Sequence, residues 1–156
     1  MRTVIAFLFV LFANSADLYA VPNRPSKKDQ VKTDKQRLQG NWVMVRWQKA
    51  SAVVVYNPNE RFYVWTIRGD RLTAKRGGLG WQLESTITID PSKDPKALDA
   101  VDLRGPNKGK AGRYIYDLEG DTLSIGYGGD GQARPKSFTS QRAMSPIVII
   151  FHKQKQ

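Results

Sequence analysis

The chain has 156 residues, no cysteine, and 25 lysines and arginines against 14 acidic residues, which gives a formal net charge of +11. Without cysteine the chain has no disulfide framework, no thiol nucleophile and no cysteine-ligated metal site. The excess of positive charge favours association with anionic surfaces and carries no information about the fold.

The N-terminal segment has the pattern of a secretory signal peptide. Met1-Arg2 supplies a positive charge, residues 3–13 form an uncharged and mostly apolar run, and small or polar residues follow. That run is well short of the roughly 20 apolar residues that a membrane-spanning helix needs. We therefore predict a signal peptide over residues 1–20, cut after Ser15, Ala16 or Ala20. The remaining chain is expected to be soluble, in the periplasm or outside the cell.

We predict that residues 21–36 form a polar, basic leader, because they contain two prolines and five basic residues and almost nothing apolar. At the end of this leader, Thr33 and Gln36 match a capping box, and Gly40 can stop a helix. We expect one short helical turn there, followed by a single domain over residues 37–156.

From Asn41 onward, apolar and polar residues alternate with the period of two that is typical of strands. Eight strands are predicted, over residues 41–48, 61–67, 71–75, 81–89, 98–103, 113–118, 122–127 and 146–152. Gly-Asp pairs at 69–70 and 120–121 indicate tight hairpins. Because no helical crossover separates the strands, we predict an all-β fold. It is a single antiparallel, eight-stranded up-and-down barrel, lipocalin-like, with the short helical turn at its N-terminal side.

Several segments carry a resemblance to known proteins. Residues 38–42 (LQGNW) resemble the opening of lipocalin-like, or calycin, barrels, in which a helical turn leads through Gly-x-Trp into the first strand. Residues 90–99, 105–110, 115–123 and 134–138 resemble an uncharacterised secreted bacterial domain family that is abundant in planctomycetes. The resemblance implies a calycin-like barrel, with Lys153 as the basic residue over Trp42, and it brings no established activity.

The aromatic residues on the predicted inward faces are candidates for ligand binding. They are Trp42, Tyr63, Trp65, Trp81, Tyr114, Tyr116 and Tyr127. A barrel of this size either fills its interior with side chains or encloses one small ligand, so core packing and an apolar or amphiphilic ligand in the barrel mouth are both open. Within the set, Trp42 is expected to plug the closed end. Trp47 falls on the opposite strand face and is a candidate for exposure.

Basic residues near two loops give the alternative hypothesis, a surface that binds an anionic envelope polymer or a protein partner, including binding of the protease-inhibitor kind. The candidates are Arg104, Lys108, Lys110, Arg134 and Lys136. An ordinary solvated surface explains the same residues. Nucleic acid is not expected as a partner, because no recognition motif is present.

Catalysis is not expected. His152 is the only histidine, no serine lies in a nucleophile-elbow context, and the acidic pairs stand beside many lysines. Zinc sites of the usual kind need several histidine or cysteine ligands. The sequence thus predicts a non-catalytic binding domain without metal or cofactor.

Overall fold

The computed structural model describes residues 27–78, 80, 82–139 and 146–155, with side chains from Thr33 onward. The predicted signal peptide, residues 21–26 of the leader and Trp81 lie outside the described residues. The helix and the strands, in chain order, are α1 (Lys27–Leu38), β1 (Gly40–Lys49), β2 (Ala52–Val55), β3 (Tyr63–Arg68), β4 (Arg71–Arg76), β5 (Gln82–Asp90), β6 (Lys96–Asp102), β7 (Ala111–Glu119), β8 (Thr122–Tyr127) and β9 (Ile147–Lys153). One turn of 3-10 helix, Pro58–Glu60, lies between β2 and β3.

The strands form one closed antiparallel barrel. From β3 to β9 each strand pairs with the next along the chain, β1 pairs with β3, and the barrel closes where β9 pairs with β1. This confirms the predicted all-β, eight-stranded barrel. The Gly-Asp turns are confirmed as well, since Arg68 pairs with Arg71 and Glu119 with Thr122 across two-residue connections. Gly69 and Gly120 take the positive φ that these turns need.

The ninth strand, β2, was not predicted. The first half of β1 pairs with β3, whereas residues Arg46 to Lys49 pair with β2 in a hairpin that extends the barrel wall past the start of β3. All four residues of β2 are exposed. The β1–β2 hairpin therefore stands on the rim at the end of the barrel where β3 begins.

Helix α1 covers the other end, which we call the closed end. Leu38 is buried, and its carbonyl accepts a hydrogen bond of 2.8 Å from the indole N–H of Trp42. Asp34, only 5% exposed, accepts hydrogen bonds from the Tyr116 hydroxyl at 2.9 Å and from Lys96 Nζ at 3.0 Å. The expected single turn is thus a helix of three turns that begins within the predicted leader. The sequence of α1 has no apolar stripe, since one of the residues that the helix buries against the barrel is the aspartate Asp34.

Lys153 at the end of β9 lies over Trp42, as the resemblance implies. Its ammonium nitrogen is 5.2 Å from the centre of the indole ring and donates a 2.7 Å hydrogen bond to the carbonyl of Arg37. One cation therefore joins the last described strand both to the end of α1 and to the first strand.

Candidate ligand-binding site

The structure divides the predicted aromatic set between the two ends of the barrel. Trp42 and Tyr116 are fully buried at the closed end, where each is bonded to α1. Both are therefore part of the plug at this end. Of the remaining described members, Trp65 pairs directly with Trp42 and is buried in the core, whereas Tyr63, Tyr114 and Tyr127 lie nearer the opposite end of the barrel, the open end.

The three tyrosines and Trp65 belong to two groups of contacting rings. The rings of Tyr114 and Tyr127 are stacked, with centres 4.7 Å apart and planes 22° from parallel. The ring centre of Phe151, on β9, lies 4.7 Å from that of Trp65 and 6.4 Å from that of Tyr63. Trp65 is almost completely buried, while the three tyrosines are partly exposed. This end of the barrel thus presents aromatic surface to its mouth.

Gly112 makes room for one of these rings. A Cβ built on Gly112 would lie 2.6 Å from the Tyr114 hydroxyl oxygen, closer than real side chains approach. Because Gly112 precedes Tyr114 on the same face of β7 and is nearer the rim, the ring leans toward the mouth. A larger residue at 112 would force the ring out of this position.

Polar groups accompany the rings. The indole N–H of Trp65, a side chain only 5% exposed, makes no hydrogen bond of good geometry among the described residues, although it interacts with the Tyr63 side chain. The hydroxyl of Ser85 donates a 2.8 Å hydrogen bond to Asp102, and Tyr127 bonds to Asp130. The open end is therefore aromatic with a few polar groups, which is the usual composition of a small-molecule site.

Burial and nearby carboxylates keep the tyrosines of this end protonated. Burial raises the pKa of Tyr114, and the negative charges of Asp102 and Asp130 add to that rise. Burial and the bond to Asp130 raise the pKa of Tyr127. For Tyr63 burial raises the pKa, and the neighbouring Trp65 side chain opposes part of the rise. At neutral pH all three hydroxyls are neutral, and that of Tyr127 already donates its hydrogen to Asp130.

Trp47 points into the barrel, contrary to the expectation from strand alternation. The pairing of β1 with β9 shifts register between Met44 and Arg46, so one extra residue stands in β1 at that point. Such a bulge turns the following side chains to the opposite face. Trp47 consequently packs against the core beside the mouth. Strict alternation along β1 does not allow for the bulge, and it therefore assigns Trp47 to the wrong face of the strand.

The five predicted anion-binding residues do not form one cluster. Arg104, Lys108 and Lys110 lie on or beside the loop between β6 and β7 at the open end, where Arg104 is 3.3 Å from Glu84 and Lys110 donates to Asn107. Lys136 lies near the opposite end, in a groove that it shares with residues 91–96. The structure brings the first three into one loop and does not bring Lys136 to them.

Arg134 holds a loop against the outside of the barrel. Its guanidinium donates to the carbonyls of Leu98 and Tyr114 and pairs with Asp99 at 2.7 Å. These three contacts fasten the segment after β8 to strands β6 and β7. Because its donors are committed within the chain, Arg134 has a structural explanation.

The described residues also bear on metal sites, on the single histidine and on membrane helices. No three acidic or histidine side chains among them are placed to hold a metal ion. His152 is exposed on β9. Within the same part of the chain, no helix has the length and apolar character to cross a membrane.

Comparisons with protein families, with curated protein sequences and with solved structures return no match to this chain.

Proposed function

We propose that this protein is a non-catalytic binding protein that holds a small apolar or amphiphilic molecule in the open end of the barrel. The observation that carries the proposal is the group of three partly exposed tyrosines, Tyr63, Tyr114 and Tyr127, at the same mouth, with the buried ring of Trp65 beneath them. Among the described residues, the indole N–H of Trp65 interacts with the Tyr63 side chain but makes no bond of good geometry there, so an acceptor oxygen brought in by a ligand would satisfy it better.

The shape of the barrel supports the same proposal. One end is plugged by α1 and Trp42, so a ligand would enter from the other end and stop against a packed core. Aromatic walls favour an apolar or aromatic body, and neutral tyrosine hydroxyls favour a ligand with an acceptor oxygen. We therefore expect an amphiphile with one apolar part and one carbonyl, ether or hydroxyl oxygen.

Two tyrosines on one strand provide a matched test. Tyr114 faces the mouth and Tyr116, two residues further along β7, bonds to the plug. Intrinsic fluorescence is titrated with a panel of fatty alcohols, fatty acids and aromatic alcohols. For any member that binds, Tyr114→Phe should weaken affinity about tenfold, since one hydrogen bond is lost. Tyr116→Phe should leave that affinity unchanged.

The substitution Trp65→Phe adds an independent check, because it keeps an apolar ring and removes the donor. It should weaken binding of oxygen-bearing members of the panel and spare purely apolar ones. The proposal is wrong if no member of the panel binds, or if Tyr116→Phe lowers affinity as much as Tyr114→Phe does.

Export and a calycin-like ancestry belong to the same proposal. The apolar run 3–13 supports export, and Lys153 over Trp42 after a Gly-x-Trp element supports the kinship. Export is tested by fractionating the cells and measuring the mass of the protein that is found outside the cytoplasm. An N-terminus after Ser15, Ala16 or Ala20 is expected, and an intact Met1 would contradict it.

A further inference from the structure

The β1–β2 hairpin concentrates exposed apolar surface in one place. Val53, Val54 and Val55 are 46%, 41% and 76% exposed, and among the described residues the one other exposed large hydrophobic side chain is Val101, at 37%. Three adjacent exposed valines on a projecting strand are costly in water unless something covers them.

The valines occupy both faces of the hairpin. Val53 and Val55 pair with Gln48 and Arg46, while Val54 pairs with Trp47. In the described part of the chain, β2 pairs with β1 alone and so has one free edge. A partner strand added at that edge would hydrogen-bond the free N–H and C=O groups of β2, but it would leave the valines on both faces of the hairpin exposed. An apolar medium that surrounds the hairpin covers both faces.

Positive charge surrounds the same hairpin. Arg46, Lys49 and Arg61 are exposed, and Glu60 is the only acidic residue between positions 46 and 61. Arg76, at the adjacent end of β4, is also exposed and lies over the ring of Phe62, 4.8 Å from its centre. A second copy of the chain would bring these like charges together. An anionic surface would be attracted, by about 1 kcal/mol for each basic residue close to it.

We propose that the β1–β2 hairpin docks the open end of the barrel onto the surface of an anionic phospholipid bilayer. Four strand residues span about 13 Å, which suits insertion of roughly 5–10 Å into the boundary between headgroups and acyl chains. The valines lie at that boundary and the basic residues among the headgroups. The free backbone edge stays at a depth where water and headgroups still hydrogen-bond.

The test is sedimentation with vesicles of phosphatidylcholine that contain, or lack, phosphatidylglycerol. The protein is taken as recovered from the cells that export it, and all variants share the same N-terminus. We expect binding to the anionic vesicles that weakens as salt is added. The double variant V53T/V55T keeps β-branched side chains and their preference for strands. Its affinity for the anionic vesicles should be at least about tenfold lower than that of the unaltered protein. Val101→Thr is the matched control and should bind as the unaltered protein does.

A charge variant tests the second half of the proposal. K49Q/R61Q should also lower the affinity for anionic vesicles, whereas Arg68→Gln, exposed at the closed end, should not. Equal binding by V53T/V55T and by the unaltered protein would overturn the proposal, as would equal binding to neutral vesicles.

An oligomer that dissociates in V53T/V55T, with no vesicle binding by any form, would assign the hairpin to a second copy and overturn the proposal too. The proposal does not rest on a ligand in the mouth. Tyr114→Phe leaves the hairpin unaltered and should leave vesicle binding unchanged.

Discussion

Asp34 joins helix α1 to two strands at the closed end of the barrel. It is buried, and it accepts from Tyr116 and Lys96 on two different strands while Arg37 lies 3.9 Å away on its own helix. Burial and this carboxylate raise the pKa of Tyr116. The contact was not predicted from the sequence, because a lone aspartate in a polar segment gives no signal of burial.

The raised pKa of Tyr116 makes stability depend on alkaline pH. In the unfolded chain tyrosine loses its proton near pH 10, whereas the folded protein retains it. The free energy of unfolding therefore falls as pH rises above about 10. Tyr116→Phe should make that fall shallower, measured by urea unfolding at a series of pH values. An unchanged slope would contradict this assignment.

Lys153 should contribute measurably to stability. Lys153→Met removes the cation over Trp42 and the donor to Arg37, and should cost about 1–2 kcal/mol in denaturant unfolding. Lys155→Met, two positions on and exposed, should change stability by less than about 0.5 kcal/mol. Equal effects of the two variants would deny Lys153 this role.

Among the elements, the strands were predictable and the exceptions have physical causes. The bounds of the eight predicted barrel strands lie within about two residues of the observed ones, because alternation or an apolar run between turn residues marks each of them. Strand β2 has no buried face, so its valines give no alternation. Helix α1 buries an aspartate and not an apolar stripe. The bulge in β1 was invisible because one extra residue leaves no mark in composition, and it reversed the predicted face of Trp47.

The turn of the β1–β2 hairpin is strained at one residue. Ala50 has a φ of 51°, in the left-handed region, and Ser51 is not among the described positive-φ residues. Ala50→Gly should therefore stabilise the hairpin by about 0.5–1 kcal/mol, and Ser51→Gly should destabilise it. Hydrogen exchange at the Tyr56 amide, which bonds to the Val45 carbonyl, reports on both. Changes of the same sign would contradict the assigned turn.

For the whole molecule, charge is the dominant surface property. The chain carries +11, and its described ion pairs engage few of the basic residues. Self-repulsion should lower stability at low ionic strength and be relieved by salt. The melting temperature is thus expected to rise as sodium chloride increases from about 0.01 to about 0.15 M. A melting temperature that falls over this range would mean that the ion pairs outweigh the repulsion.

The site could be predicted only in part. The inward tyrosines followed from alternation, since Tyr63, Tyr114 and Tyr127 lie where the pattern places them. The sequence did not show which of the predicted aromatic residues lie at the plugged end and which at the mouth, because that depends on which end of the barrel α1 covers. The basic residues could not be grouped either, as the loop that carries Arg134 runs along the outside of the barrel before β9 begins.

The bond from Lys153 to Arg37 joins positions 116 residues apart, and the same two regions form the seam between β9 and β1. During synthesis, β1 and α1 leave the ribosome long before their partner strand exists. Neither the barrel wall nor its plug can be completed until β9 has been made, and such distant pairings form slowly. The barrel therefore closes last, and an unfolded chain is the form that the export proposed above would require.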